Sequence, residues 1–263
     1  MSHFDNLANH DFGTTVRVVL FDAVGTVIEL RHSVADCYYS AAQAAGIEIS
    51  KDIIRQRFPD AFARNFTAWQ QQLPEPWAVW ARAWHTDRDS VRDWLSSEAT
   101  RKSFFRFFSL PIDEEQEAQA WARLVAEVLA PIRTAADPEC SNTAFRALWK
   151  WFAEPEAWQP VASASALIQR LRAEGKQVGL ASNFDRRLNA VMAGLTEELE
   201  FDHLFVSSNL GYRKPDPRFY QAILARLQVR PEQVAMIGDR WWEDFAAPTV
   251  CGLQASWCGN SER

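Results

Sequence analysis

The stretch "VRVVLFDAVGT", residues 16–26, decides how this chain is read. Val18 to Phe21 are consecutive apolar residues of strand length, the pattern of a strand buried on both faces. Asp22 ends the run. A carboxylate at the end of a buried strand is costly unless a partner or ligand holds it there. Ala23-Val24-Gly25-Thr26 then breaks the strand pattern.

Three further runs share this form: "KQVGLASN" at 176–183, "HLFVSSN" at 203–209 and "EQVAMIGD" at 232–239. Each ends in a small polar or acidic residue, and "LQASWC" at 253–258 reads as an edge strand. Helical patterns lie between them. "ASASALIQRLRAEG" stops at Gly175, "DRRLNAVMAGL" starts at a capping Asp185, and "DPRFYQAILARLQV" carries Pro217 in its first turn. Alternating strands and helices predict an α/β fold, a doubly wound parallel sheet with a Rossmann-type core.

The segment 34–159 differs. It reads as amphipathic helices, for example "SVADCYYSAAQAAG" and "EEQEAQAWARLVAEVL", and it holds nine of the twelve tryptophans. Trp77, Trp80 and Trp84 recur at helical spacing, which predicts packing between helices; an aromatic substrate pocket is the lesser alternative. The expected organisation is an N-terminal arm over 1–14, an α/β core over 15–33 and 160–263, and a helical cap over 34–159. An insertion directly after a strand's carboxyl end would act as a lid over the ligand-binding edge.

Bulk properties exclude several classes. A net charge of -6 on 263 residues argues against a nucleic-acid surface, which is usually basic. No run of about 18 apolar residues suggests a membrane span. "MSHFDNLANHDFGTT" does not read as a secretory signal. Cys37, Cys140, Cys251 and Cys258 form no CxxC or metal-like spacing, so reduced thiols in a cytoplasmic protein are expected.

In a parallel sheet the carboxyl ends of the strands share one edge, where ligands bind. That edge gathers Asp22, Ser182, Asn183 and Asp239, with Lys214 of "GYRKPDP" and Asp244 within reach. A carboxylate can be a nucleophile. Asp22, Asp239 and Asp244 together would repel one another unless a cation holds them, and oxygen ligands beside phosphate suit Mg²⁺. Lys214 would add a fixed positive charge, while Ser182 and backbone N–H groups would bind phosphoryl oxygens.

"FDAVGT" at 21–26, "SN" at 182–183, Lys214 in "RKPDP" and "GDRWWED" at 238–244 resemble, in order, the four motifs of the haloacid dehalogenase (HAD) superfamily. The long insertion between the first and second is similar to that superfamily's helical cap at the first insertion site. "SNFDRRL" with "KPDPRFY" looks especially like the subgroup of haloacid dehalogenase-like hydrolase domain-containing protein 3. The resemblance implies a HAD-type hydrolase, with Asp22 as nucleophile and Ser182 and Lys214 as its catalytic partners. It also implies Mg²⁺ bound by Asp22, the backbone carbonyl of Val24, Asp239 and Asp244. Thr26, Ser182 and Asn183 would serve the substrate side, with Arg31 a further candidate for gripping a substrate anion.

Val24 departs from that pattern. The phosphatases of the superfamily place a second aspartate there, which protonates the leaving group and then activates water. L-2-haloacid dehalogenases also lack it, because a halide leaves without a proton; yet the paired acids of "GDRWWED" fit a metal-dependent site. The leading expectation is Mg²⁺-dependent hydrolysis of a phosphorylated small molecule. A metal-independent 2-haloacid dehalogenase and a catalytically impaired protein that binds a phosphorylated ligand or protein partner are the alternatives. Glu29 is a candidate to replace the missing acid, Asp185 reads as a helix cap, and Arg186 and Arg187 as solvated.

Overall fold

The computed structural model describes residues 11–84, 86–130, 137–195 and 199–259. Most of the expected N-terminal arm, up to residue 10, and His85 lie outside the described residues. In chain order the strands are β1 (Val18–Phe21), β2 (Ile28–Leu30), β3 (Trp158–Pro160), β4 (Gln177–Ser182), β5 (His203–Val206), β6 (Val234–Gly238) and β7 (Gln254–Trp257). Five of them form one sheet in the order β5-β4-β1-β6-β7, and every pairing in it is parallel. β2 and β3 form a separate two-stranded sheet.

β1 is central and fully buried, which explains its unbroken apolar sequence: a strand covered on both faces has no solvent side to alternate toward. The chain moves outward from β1 through β4 to β5, then returns to the other side of β1 at β6. The switch point therefore lies between β1 and β6, where Phe21 pairs with Ile237. Ligands of open α/β sheets bind outside the carboxyl ends of the strands at such a point. Asp22 and Asp239 are the residues that follow these two strands.

The helices are α1 (Val34–Ala44), α2 (Lys51–Phe66), α3 (Glu75–Ala83), α4 (Arg88–Ser96), α5 (Glu98–Phe107), α6 (Glu114–Val128), α7 (Pro138–Trp151), α8 (Ala162–Ala173), α9 (Arg187–Gly194), α10 (Ser207–Leu210), α11 (Pro217–Leu227) and α12 (Ala247–Val250). Local chemistry sets several of their starts. The Ser33 hydroxyl accepts from Asp36 N–H at α1, and Asp216 accepts from Arg218 N–H at α11, where Pro217 occupies the first turn. "HLFVSSN" stays strand only to Val206; Ser207 to Leu210 turn into α10, which ends at Gly211 with φ 83°.

The chain divides into two compact units. One comprises the residues up to Glu29, Glu75–Asp113 and those from Pro160 onward; the other comprises Leu30–Pro74 and Glu114–Gln159. The segment 34–159, expected as one helical cap, is divided between these two units: α3, α4 and α5 group with the sheet. Aromatic packing is the reason. Trp77 stacks on Phe104 with centroids 5.2 Å apart and meets Trp242 at 6.3 Å, and Trp84 meets Phe245 at 4.1 Å. The Trp77, Trp80 and Trp84 stripe is therefore packing, with Trp77 and Trp84 buried and Trp80 stacked on Trp94 at 5.6 Å. The second unit is built from α1, α2, α6 and α7, with Phe66 of α2 against Trp121 of α6 at 4.8 Å.

Candidate active site

The loop after β1 is a compact turn. The Ala23 carbonyl accepts from the N–H groups of Val27 at 2.8 Å and Ile28 at 3.0 Å, and Gly25 N–H donates to the Ile28 carbonyl at 2.9 Å. Gly25 takes φ 87°, a region open to glycine, and a Cβ there would lie 3.0 Å from Asp239 Oδ2. Close approach of this backbone to Asp239 therefore needs both the conformation and the missing side chain. Asp22 N–H donates to the Ile237 carbonyl at 2.8 Å, which extends the β1–β6 ladder to the carboxylate itself.

Lys214 organises the site. Its Nζ donates to Asp22 Oδ1 at 2.8 Å, to the Ala181 carbonyl at 2.8 Å and to Asp244 Oδ1 at 2.6 Å. An ammonium has three N–H bonds, and these acceptors take all three. Lys214 and Asp244 are buried, as is nearly all of Asp22. Burial alone would lower the lysine pKa, but the charges of Asp22 and Asp244 outweigh it and raise it above the ordinary value.

The lysine is placed by Asn183. Its Oδ1 accepts from Lys214 N–H at 2.7 Å and its Nδ2 donates to the Lys214 carbonyl at 2.8 Å, beside a cis Lys214–Pro215 bond. Asn183, expected on the substrate side, spends these groups on the main chain of Lys214. Ser182 ends β4 and is buried, as is Thr26.

Asp239 and Asp244 come from the segment after β6. Residues Trp241–Ala246 wind as a π-helix, a form that recurs at functional sites. Asp244 Oδ2 accepts from Arg240 N–H at 3.0 Å. Gly238 leaves room for this return: a Cβ there would sit 2.2 Å from Asp244 Oδ2. Burial, then Asp22, raise the Asp239 pKa against the pull of Arg240 and Lys214. Burial also holds Asp244 well above the usual carboxylate range, opposed first by Lys214.

Asp22, Asp239 and Asp244 each offer a carboxylate oxygen, and the three lie within 4.8 Å of one another. Asp239 Oδ1 is buried with no hydrogen-bond partner among the described residues. Three hard oxygen donors, one of them lacking a proton partner, fit a divalent cation such as Mg²⁺.

The remaining predicted residues scatter. Arg31 is exposed and belongs to the helical unit, whereas the carboxylates belong to the sheet unit. Glu29 is exposed on β2. Arg187, expected to be solvated, is buried: its Nε and Nη2 clasp Asp185 at 2.8 and 2.6 Å, while its N–H donates to Asp185 Oδ1 at 3.0 Å. Asp185 thus accepts the first N–H of α9 and pairs a buried guanidinium, while the N-cap position, expected at Asp185, is Arg186 with no side-chain cap. Arg240 was not singled out in the sequence, although it directly follows Asp239. The Glu243, Asp239, Asp22 and Asp244 charges raise its pKa against the opposing effect of burial.

Comparison with known proteins agrees with this geometry. A family model described as haloacid dehalogenase-like hydrolase matches residues 16–252. The human haloacid dehalogenase-like hydrolase domain-containing protein 3 is 26% identical over 91% of this chain and 80% of its own length. A phosphoserine phosphatase of Thermus thermophilus is 30% identical over 41% of this chain and 43% of its own. Among solved structures, a HAD-hydrolase from Bacillus subtilis bound to magnesium superposes with a TM-score of 0.53 at 18% identity, covering 92% of this chain and 86% of that one. With a parallel sheet that gathers Asp22, Asp239, Asp244 and Lys214 at its switch point, the chain belongs to the haloacid dehalogenase-like hydrolase family.

Proposed function

We propose that the protein hydrolyses a small phosphorylated substrate in a Mg²⁺-dependent reaction that passes through an aspartyl-phosphate on Asp22. The observation that carries this reading is the convergence of Asp22, Asp239 and Asp244 within 4.8 Å of one another. A site for a halide alone has no need of three carboxylates. The phosphoserine phosphatase relative supports the same chemistry over its matched region.

The residues divide the work. Lys214 holds Asp22 Oδ1, which leaves Oδ2 to attack phosphorus. Asp239, Asp244, Asp22 and the Val24 carbonyl would hold Mg²⁺. When bound, the cation supplies charge to the phosphoryl oxygens in flight. Ser182 and the backbone N–H groups of the loop after β1 would bind the transferred group.

Val24 gives a second reading, a 2-haloacid dehalogenase, its support. Its side chain is 38% exposed, two residues after the nucleophile, and can neither give nor take a proton. Phosphate and halide release, with Mg²⁺ and with a chelator, separate the two. Chelator-sensitive phosphate release that Asp22→Asn abolishes supports the first reading; chelator-insensitive halide release from a 2-haloacid overturns it.

A further inference from the structure

Breaking an alkyl phosphate expels an alkoxide, which needs a proton as the bond breaks. An acyl phosphate expels a carboxylate, which does not. The groups around Asp22 bear on which of these the site can release.

Lys214 turns no proton toward a substrate, because its three N–H bonds end on Asp22, Asp244 and the Ala181 carbonyl. Asp239 and Asp244 gather with Asp22 and would be spent as Mg²⁺ ligands, so they would not serve the leaving group. Thr26 and Ser182 are buried hydroxyls, far too weakly acidic for the task. The exposed part of the nucleophile loop consists of Val24 and Gly25. This backbone borders the carboxylates, since a Cβ on Gly25 would reach to 3.0 Å from Asp239 Oδ2. The side chain on that rim is a valine, 38% exposed, in place of a proton donor.

Resting on the phosphoryl transfer through Asp22 proposed above, we infer that the substrates are acyl phosphates, mixed anhydrides whose leaving group departs as an anion. An Asp22 oxygen forms a bond to phosphorus while the bond from phosphorus to the acyl oxygen breaks. The acyl group leaves as a carboxylate with the electron pair. The aspartyl-phosphate so formed is itself an acyl phosphate. Water attacks its phosphorus, Asp22 departs as a carboxylate, and the water proton leaves with inorganic phosphate. Neither leaving group needs a proton donor at position 24.

The test is a leaving-group series on the full chain with Mg²⁺: acetyl phosphate, p-nitrophenyl phosphate, phenyl phosphate and glycerol phosphate, each corrected for spontaneous hydrolysis, with Asp22→Asn as control. The expected result is a fall in kcat/KM of about 10²–10⁴-fold from acyl to alkyl phosphate, the range a positioned acid supplies. Val24→Asp should raise the alkyl rate and narrow that ratio. The wild-type series decides the matter even if the variant does not fold. A flat series overturns the inference and leaves phosphoryl transfer standing. If no phosphate in the series gives metal-dependent, Asp22-dependent release, the phosphoryl reading falls, and the inference with it.

Discussion

Gly238→Ala isolates Asp244 from the rest of the site. The added methyl would lie 2.2 Å from Asp244 Oδ2, 2.3 Å from its Cγ and 2.6 Å from its Cβ. Rotation about χ1 cannot relieve the last contact, so the main chain of the π-helix has to shift. Asp244 is fully buried and held by Lys214 at 2.6 Å and Arg240 N–H at 3.0 Å, so a shift breaks charge-assisted hydrogen bonds. Overpacking costs about 1–3 kcal/mol, and a hydrogen bond to a charged group is worth about 1.5–3 kcal/mol. A net loss of about 3 kcal/mol, or roughly 6–12 °C in Tm for a chain of this size, is expected. A ligand at 100 times its Kd adds about 2.7 kcal/mol to the native state. Wild type should therefore melt higher with Mg²⁺, and Gly238→Ala should lose most of that increment. Gly179→Ala is the control, because its methyl would press on His203 and Leu20 at 3.0 Å, away from the carboxylates. It should melt lower yet keep the Mg²⁺ increment. A Gly238→Ala protein with the wild-type melting temperature, or with the full Mg²⁺ increment, would refute the assignment of Asp244.

Lys214→Met should leave Asp22 and Asp244 without their cation; breaking a buried pair costs about 3–5 kcal/mol, readable by denaturant unfolding alongside loss of turnover. Asp185→Ala should cost a similar amount by taking the carboxylate away from the buried Arg187, and the double variant with Arg187→Leu should recover part of it, since the buried charge is then removed as well. Asp36, bonded to Lys51 and then Ser33, has its carboxyl lowered from 3.8 to about 2. A depressed carboxyl contributes stability that is present above pH 3.8 and lost as pH falls toward 2. The stability gap between wild type and Lys51→Met, followed by acid titration of unfolding, should accordingly be constant above pH 4 and close within that window.

The sheet was legible because strands buried on both faces cannot hide their pattern: β1, β4 and β6 are nearly unbroken apolar runs, each delivering a polar group at its carboxyl end. Asp22 and Asp239 were legible for the same reason, as each stands where a buried strand has just ended, whereas Asp244 lies in the π-helix beyond. The partner of α3 was not. Helical periodicity shows which face of 75–83 is apolar, but Trp77 and Trp84 find Trp242 and Phe245 only through the tertiary fold. Arg187 left a trace that went unread: Asp-x-Arg occurs at 185–187 and again at 216–218, and in both the aspartate accepts the main-chain N–H and the guanidinium of the arginine two residues on. Asn183 was legible as a residue of this edge, but its bonds to the Lys214 main chain were not, because they join loops far apart in sequence.

Lys214 explains why these loops must meet. Its acceptors are Asp22 beyond β1, Ala181 within β4 and Asp244 beyond β6, so one ammonium ties together the ends of three adjacent strands. Asp22 is positioned on both sides of the switch point, by the ladder to Ile237 on one and by the lysine and Ala181 on the other. Three acceptors converging at 2.6–2.8 Å suit a compact ammonium with three rotatable donors. A guanidinium presents its donors in a planar fork and cannot point three of them at one small volume. Lys214→Arg should therefore keep the charge yet lose the geometry, with turnover falling nearly as far as in Lys214→Met. Near-wild-type turnover in Lys214→Arg would show that position 214 supplies charge alone, and that Asp22 is held by the β1–β6 ladder without it.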